Sequence, residues 1–299
     1  MQTYQQMMNE ISKNQFASLY LVQGTEDYFI QNIEQALINN ALSPDEIEMN
    51  YVQIDLREHT VDDLIFEATS YPFFGERKLI FANYPEFLTG QKSAALEKND
   101  QEALIEYLNN PADFSVVVFF APYEKLDKRK KITKTFLNQV KTIDVSSPKP
   151  AEIERFFKNK IQESGYQMDA DAFQLFMQLT GGQLSQLMHE FEKIITFQGP
   201  SQVIKKQTVE QLVPKNLEYN IFELNHLVFS RQTNQALDFF QELLLQKEDP
   251  IKIIALLISE FRLLLQVKIL QEQNLGQRQI SEQLKVHWYR VKLAMEKTR

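Results

Sequence analysis

Tyr20-Leu21-Val22-Gln23-Gly24-Thr25-Glu26-Asp27-Tyr28-Phe29 (YLVQGTEDYF) is a short β-rich run that ends in glycine and passes straight into a helical pattern, with Phe29, Ile30, Ile33 and Leu37 at helical spacing. A strand that runs through a glycine into a helix is the opening of a strand–helix–strand unit, and the same alternation continues downstream. Strand-like runs stand at Tyr51 to Leu56, Lys78 to Ala82, Ser115 to Phe120 and Thr142 to Val145. Helical patterns fall between them near Val61 to Ser70, Gln101 to Leu108 and Ile132 to Val140. Such alternation predicts a parallel sheet with helices on both faces. The run Val116-Val117-Val118-Phe119-Phe120 has no polar alternation, which suits a central strand buried on both sides.

After Ser146-Ser147-Pro148-Lys149-Pro150, a linker signal, the strand pattern ends. Helices are expected at Ala151 to Glu163, Ala170 to Thr180, Leu184 to Phe197 and near Val209 to Leu212, with Gly165, Gly181-Gly182 and Gly199-Pro200 as stops. From Pro214 longer helices follow: Phe222 to Phe229, Thr233 to Leu245, Pro250 to Gln271 and a pair from Gln277. The expected organisation is an α/β domain over residues 1–146, a small helical domain over 147–213 and a helical C-terminal domain over 214–299.

Composition narrows the class. The 299 residues are 43% hydrophobic and 24% charged, as in ordinary soluble globular proteins. No apolar run approaches the about 18 residues of a membrane span, and the polar amino terminus carries no signal pattern, so a cytoplasmic protein without membrane contact is expected. There are no cysteines, which removes thiolate chemistry, and His59, His189, His226 and His287 lack metal-ligand spacing. A net charge of −8 argues against a surface that grips nucleic acid throughout.

An α/β domain followed by a small helical one suggests an AAA+ nucleotide-binding module, whose phosphate loop should follow the first strand. That loop needs G-x-x-x-x-G-K-[ST], because backbone N–H groups must close around the phosphates and a lysine must reach them. Gly24 to Phe29 has one glycine, no lysine and two carboxylates, Glu26 and Asp27. Phe119-Phe120-Ala121-Pro122 lacks the acidic pair that would hold Mg²⁺, and Thr180 to Gln186 lacks an arginine for a γ-phosphate. No intrinsic ATPase, cofactor or metal is expected.

Four other features stand out. Ser70-Tyr71-Pro72-Phe73-Phe74-Gly75-Glu76-Arg77-Lys78 sets two adjacent phenylalanines between a proline and a glycine. Pro72 pushes Tyr71 out of the helical region and Gly75 permits a turn, so the pair belongs at a tip, where one core layer is unlikely to take both rings. The basic run Lys125-Leu126-Asp127-Lys128-Arg129-Lys130-Lys131 reads either as a solvated helix start or as a subunit or DNA contact. Residues 278–295, around Ile280 to Val291, have the spacing of a helix-turn-helix with Trp288, Tyr289 and Arg290 as candidate DNA contacts; the same spacing suits a packed helical hairpin. A DNA-binding regulatory protein is the alternative function on that ground. The stripe from Ile253 to Leu265 is more apolar than one amphipathic face needs, serving either the core or another subunit.

Four segments in order along the chain resemble the δ subunit family of the bacterial DNA polymerase III clamp loader: Tyr20 to Gly24, Tyr71 to Ile80, Lys125 to Lys131, and Ile221-Phe222-Glu223-Leu224 followed by Ser259 to Leu264. The resemblance implies an AAA+ fold without ATPase activity, a lid-like second domain and a third domain that joins a circular collar with the other loader subunits, tau/gamma and delta prime. It implies that Tyr71, Pro72, Phe73 and Phe74 form an apolar wedge for the sliding clamp (beta), and that primed DNA is met in the assembled complex of the polymerase holoenzyme. The family pair is often Leu-Phe; Phe-Phe keeps the apolar character with more bulk. The sequence stops at Glu296-Lys297-Thr298-Arg299 inside a helical pattern, earlier than the family usually ends, so truncation or missing collar helices are expected.

Overall fold

A computed structural model describes residues 2–91, 98–199, 203–215 and 217–298. The chain divides into two compact units, Met1–Pro148 and Lys149–Arg299. The expected boundary after residue 213 therefore falls inside the second unit.

The first unit runs β1 (Gln2–Thr3), α1 (Tyr4–Ile11), β2 (Leu19–Gln23), α2 (Asp27–Ala41), α3 (Pro44–Asn50), β3 (Tyr51–Asp55), α4 (Val61–Thr69) and β4 (Lys78–Asn83). A 3₁₀ turn at Glu86–Leu88, α5 (Lys98–Asn109), β5 (Ser115–Ala121), α6 (Lys131–Gln139) and β6 (Lys141–Asp144) complete it. The strands form one sheet in the order β1-β6-β2-β5-β4-β3, and each pairing is parallel. β5 lies between β2 and β4 and is buried along its whole length, as its unbroken apolar run requires. Phe119 at its centre packs edge-on against Phe136 of α6, ring centroids 4.8 Å apart, while Leu64 of α4 and Leu104 of α5 cover the same core.

Three elements of this unit, β1, α1 and α3, are not foreshadowed in the alternating sequence pattern. β1 and α1 close the β6 edge of the sheet: Thr3 caps α1 in a capping box with Gln6, and Met7 and Ile11 bury themselves. α3, opened by Ser43 with Pro44 in its first turn and Glu46 reaching back to the Ser43 N–H, ends at Asn50 directly before β3.

The second unit comprises α7 (Pro150–Glu163), β7 (Gln167–Met168), α8 (Ala170–Leu179), α9 (Leu184–Gln198), β8 (Val203–Ile204), α10 (Lys206–Leu212), α11 (Leu217–Phe229), α12 (Thr233–Leu245), α13 (Pro250–Glu272), α14 (Gln277–Leu284) and α15 (Trp288–Lys297). β7 and β8 make a two-residue parallel ladder, so its first part is helical with one short strand pair. Phe157 organises that part: its ring stacks on Phe176 at 5.2 Å and meets Phe191 edge-on at 5.4 Å. Further along, Leu263, Leu264, Val267 and Leu270 of α13 close a core with Ile280, Val291 and Ala294. Among the described residues no helix is long and apolar enough to cross a membrane.

Candidate functional site

The first unit offers two loop systems on opposite edges of its sheet. In a parallel sheet every strand ends on the same edge, so the loop after β2 lies at one edge and the segment entering β4 at the other. At the first of these, Gly24 has φ +136°, and a Cβ there would overlap the backbone of Val145 and Ser146. The chain leaving β6 crosses this space: the Glu26 N–H donates to the Val145 carbonyl at 3.0 Å, and the Val145 N–H to the Gln23 carbonyl at 2.7 Å. Asp27 occupies the first turn of α2, where the positive end of the helix would otherwise receive a phosphate.

At the opposite edge α4 ends. Thr60 and Asp63 cap its start reciprocally, Val61, Leu64 and Ala68 fix its buried face, and Phe66 projects outward with 69% of its surface exposed. The helix stops because Ser70 is extended, with φ −77° and ψ 130°, ahead of Tyr71-Pro72. Tyr71 is exposed but lays its ring on Phe114 at 4.5 Å. Pro72 is half-buried. Phe73 is 77% and Phe74 41% exposed, the rings edge-to-face at 5.8 Å. Two neighbouring phenylalanines thus stand in water at a turn, as the Pro and Gly around them predict.

The turn is not loose. The side chain of Asn50, fully buried at the end of α3, accepts the Phe73 N–H at 2.8 Å and donates to the Phe74 carbonyl at 2.5 Å. Gly75 follows at φ +79°, against the Glu46 side chain, and a Cβ there would overlap that carboxylate. Bonds from the Ser43 N–H and hydroxyl hold the Glu46 carboxyl below its usual pKa. Lys78, nearly buried as β4 begins, pairs with Glu67 of α4 at 2.6 Å. Asn50 and Glu46 were missed by the sequence reading; the faint signal for them is the Ser43-Pro44-x-Glu46 capping pattern, which announces α3 but not what its end holds.

Trp288, Tyr289 and Arg290 are placed differently from the expectation of a DNA-reading surface. Trp288 is 8% and Tyr289 3% exposed, packed over the Gly181-Gly182 turn, so neither ring has a face free to stack on a base. Burial raises the Tyr289 pKa well above its ordinary value. Arg290 is tied to nearly buried Glu260 at 2.9 Å, and Lys292 to Glu154 of α7 at 3.1 Å. In a helix-turn-helix the start of the second helix reads the groove. Here the start of α15 is core, which corrects that expectation: the segment is a packed helical hairpin. In the basic run, Lys125, Lys128, Arg129 and Lys131 are exposed, while Asp127 is held to about 2 by its bonds to the Arg129 side chain and N–H.

On α13, Ile251, Ile254, Ile258, Phe261, Leu265 and Ile269 are exposed at spacings of three and four residues, forming an apolar stripe beside the buried one.

The parallel sheet in this order and the helical unit that follows define an AAA+-like module whose first loop lacks the lysine and second glycine of a phosphate site. The family model for the DNA polymerase III delta subunit matches residues 20–146, and the model for its C-terminal domain matches 218–299. DNA polymerase III subunit delta of Bacillus subtilis (strain 168) is 36% identical over 289 residues, covering 97% of this chain and 83% of its own length. The probable DNA polymerase III subunit delta of Aquifex aeolicus (strain VF5) is 23% identical over 256 residues, covering 83% of this chain and 72% of its own. The solved structure of the Bacillus subtilis DNA clamp loader delta protein superposes with a TM-score of 0.76 at 36% identity, covering 99% of this chain and 87% of that one. The chain belongs to the family of DNA polymerase III delta subunits, the clamp loader's delta proteins.

Proposed function

We propose that this chain binds the beta sliding clamp through the tip Tyr71-Pro72-Phe73-Phe74 and helps open the ring for loading onto primed DNA. The observation that carries the reading is the pair of exposed phenylalanines on a braced turn. Exposed aromatic rings in one cluster are costly in water and are the anchors that desolvated pockets reward. Burying both yields roughly 3 to 6 kcal/mol before ordering costs, enough to anchor a micromolar contact when neighbours contribute. Phe66, exposed one turn before the end of α4, extends the apolar surface.

In the same reading the apolar stripe of α13 joins the collar with tau/gamma and delta prime. The chain itself neither hydrolyses nor tightly binds ATP; the loop Gly24 to Phe29, without lysine and with Glu26 and Asp27, supports this.

The test is Phe73→Ala with Phe74→Ala, measured for stability and for binding to purified clamp. Truncating exposed rings leaves no cavity, so folding stability should change by less than about 1 kcal/mol, whereas core phenylalanines cost about 3 to 5. Clamp affinity should fall at least about a hundredfold. A stable double variant that binds with parental affinity would place the wedge elsewhere.

A further inference from the structure

Exposed aromatic side chains on an irregular turn would ordinarily sample many backbone states, and ordering them at an interface is a cost of binding. The tip described above has been given a fixed backbone by a residue 23 positions earlier in the chain. A primary amide carries a donor and an acceptor in one planar group at neutral pH. Asn50 uses both, taking the N–H of Phe73 and serving the carbonyl of Phe74, from a position with no solvent exposure. Water cannot reach the amide to compete for these bonds. The next residue, Gly75, adopts its left-handed conformation against Glu46 of the same helix, whose carboxylate is itself held by Ser43. One short helix therefore sets three consecutive residues of the tip.

We propose that Asn50 is a positioning residue for clamp binding: α3 acts as a pedestal that holds Phe73 and Phe74 in their binding conformation before the clamp arrives. This rests on the reading of the tip as the clamp-binding wedge. Asn50 touches no clamp atom in this account; it acts through the backbone of the two residues that do.

The test uses the full chain and purified sliding clamp. Asn50→Leu keeps the number and branching of the side-chain heavy atoms and removes both hydrogen bonds. It should weaken clamp binding about tenfold, or ~1.4 kcal/mol, while the Phe73 amide, slow to exchange in the parent, exchanges at least about tenfold faster. The loss should shrink when Asn50→Leu is made in a Phe73→Ala background, because the pedestal then positions an absent anchor. Asn50→Asp retains the acceptor for Phe73 but faces the Phe74 carbonyl with oxygen. Its affinity should be low at neutral pH and recover toward about pH 5 or below, as the carboxyl gains the proton it can donate. Parental affinity for Asn50→Leu, equal losses in both backgrounds, or rapid exchange of the Phe73 amide in the parent would overturn the proposal. If Asn50→Leu does not fold, the pH profile of Asn50→Asp and the parent's amide exchange decide it. Parental binding by Phe73→Ala with Phe74→Ala would instead remove the wedge reading beneath it.

Discussion

Gly182 lies directly under Trp288: a Cβ at Gly182, where φ is +64°, would come within 3.1 Å of Trp288 Cζ2 and as close to Tyr289 Cβ. The glycine is there because the turn after α8 needs a left-handed residue and because α15 leaves no room for a side chain. Trp288→Ala should therefore cost about 3 to 5 kcal/mol of stability, as for buried aromatic truncations. Gly182→Ala should cost more than about 1 kcal/mol through strain and contact together. Trp288 is the single tryptophan of the chain, so its fluorescence reports this packing directly during urea denaturation of the parent and of Gly182→Ala. A stable Trp288→Ala that fails only in binding primed DNA would return these rings to a nucleic-acid role.

His287 caps α15 by accepting the Tyr289 N–H at Nδ1, 3.4 Å away, and its pKa lies below the ordinary 6.5 because partial desolvation of an otherwise exposed ring and the neighbouring Arg290 both disfavour its charged form. A depressed histidine is neutral in the folded chain and takes up its proton more readily when unfolded. Its contribution is present above pH 6.5 and is lost as the pH falls from there through the folded pKa. Denaturation midpoints should decline slightly over that window, the effect being small because solvent screens an exposed ring. His287→Asn, which keeps a capping acceptor without the titration, should flatten that part of the profile.

Ile258 sits mid-way along the exposed stripe of α13. Ile258→Glu should leave the isolated chain within about 0.5 kcal/mol of parental stability, since it fills no core position. Co-purification with the other loader subunits should weaken at least about tenfold, since a buried unpaired carboxylate is expensive at an apolar interface. Full assembly of this variant would move the collar contact to another face.

Titration of the chain with Mg²⁺–ATP should give no binding heat at up to about millimolar nucleotide, where a weak site would show. Turnover above a matched blank would contradict the reading of the lysine-free loop. Gly24→Ala tests the same geometry from the protein's side. With φ at +136° and backbone where the methyl would go, it should lose several kcal/mol.

Strands β2 to β6 of the first unit were legible because apolar runs without polar alternation have few other uses, and Val116 to Phe120 lies at the sheet centre where that pattern puts it; β1, two polar residues long, carries no such run. The tip was legible from Pro72 and Gly75, local signals that act within two residues. Asn50 was not: an asparagine between a helix and a strand reads as a turn residue, and its partners are 23 and 24 positions away. Trp288 and Tyr289 were ambiguous for a related reason. The spacing of two short helices is the same whether the second reads a groove or fills a core, and only Gly182, more than 100 residues earlier, decides between them. The stripe on α13 was read as one surplus of apolar residues, and folding divides it into a buried row and an exposed row.

The loop after β2 bears on control. A ligand shifts a conformational equilibrium only by binding its states unequally, and the Gly24 to Phe29 loop lacks the lysine through which a nucleotide would do so. Under the proposed clamp-binding role, a tip held in one conformation from within is silenced by covering the aromatic pair and not by refolding it.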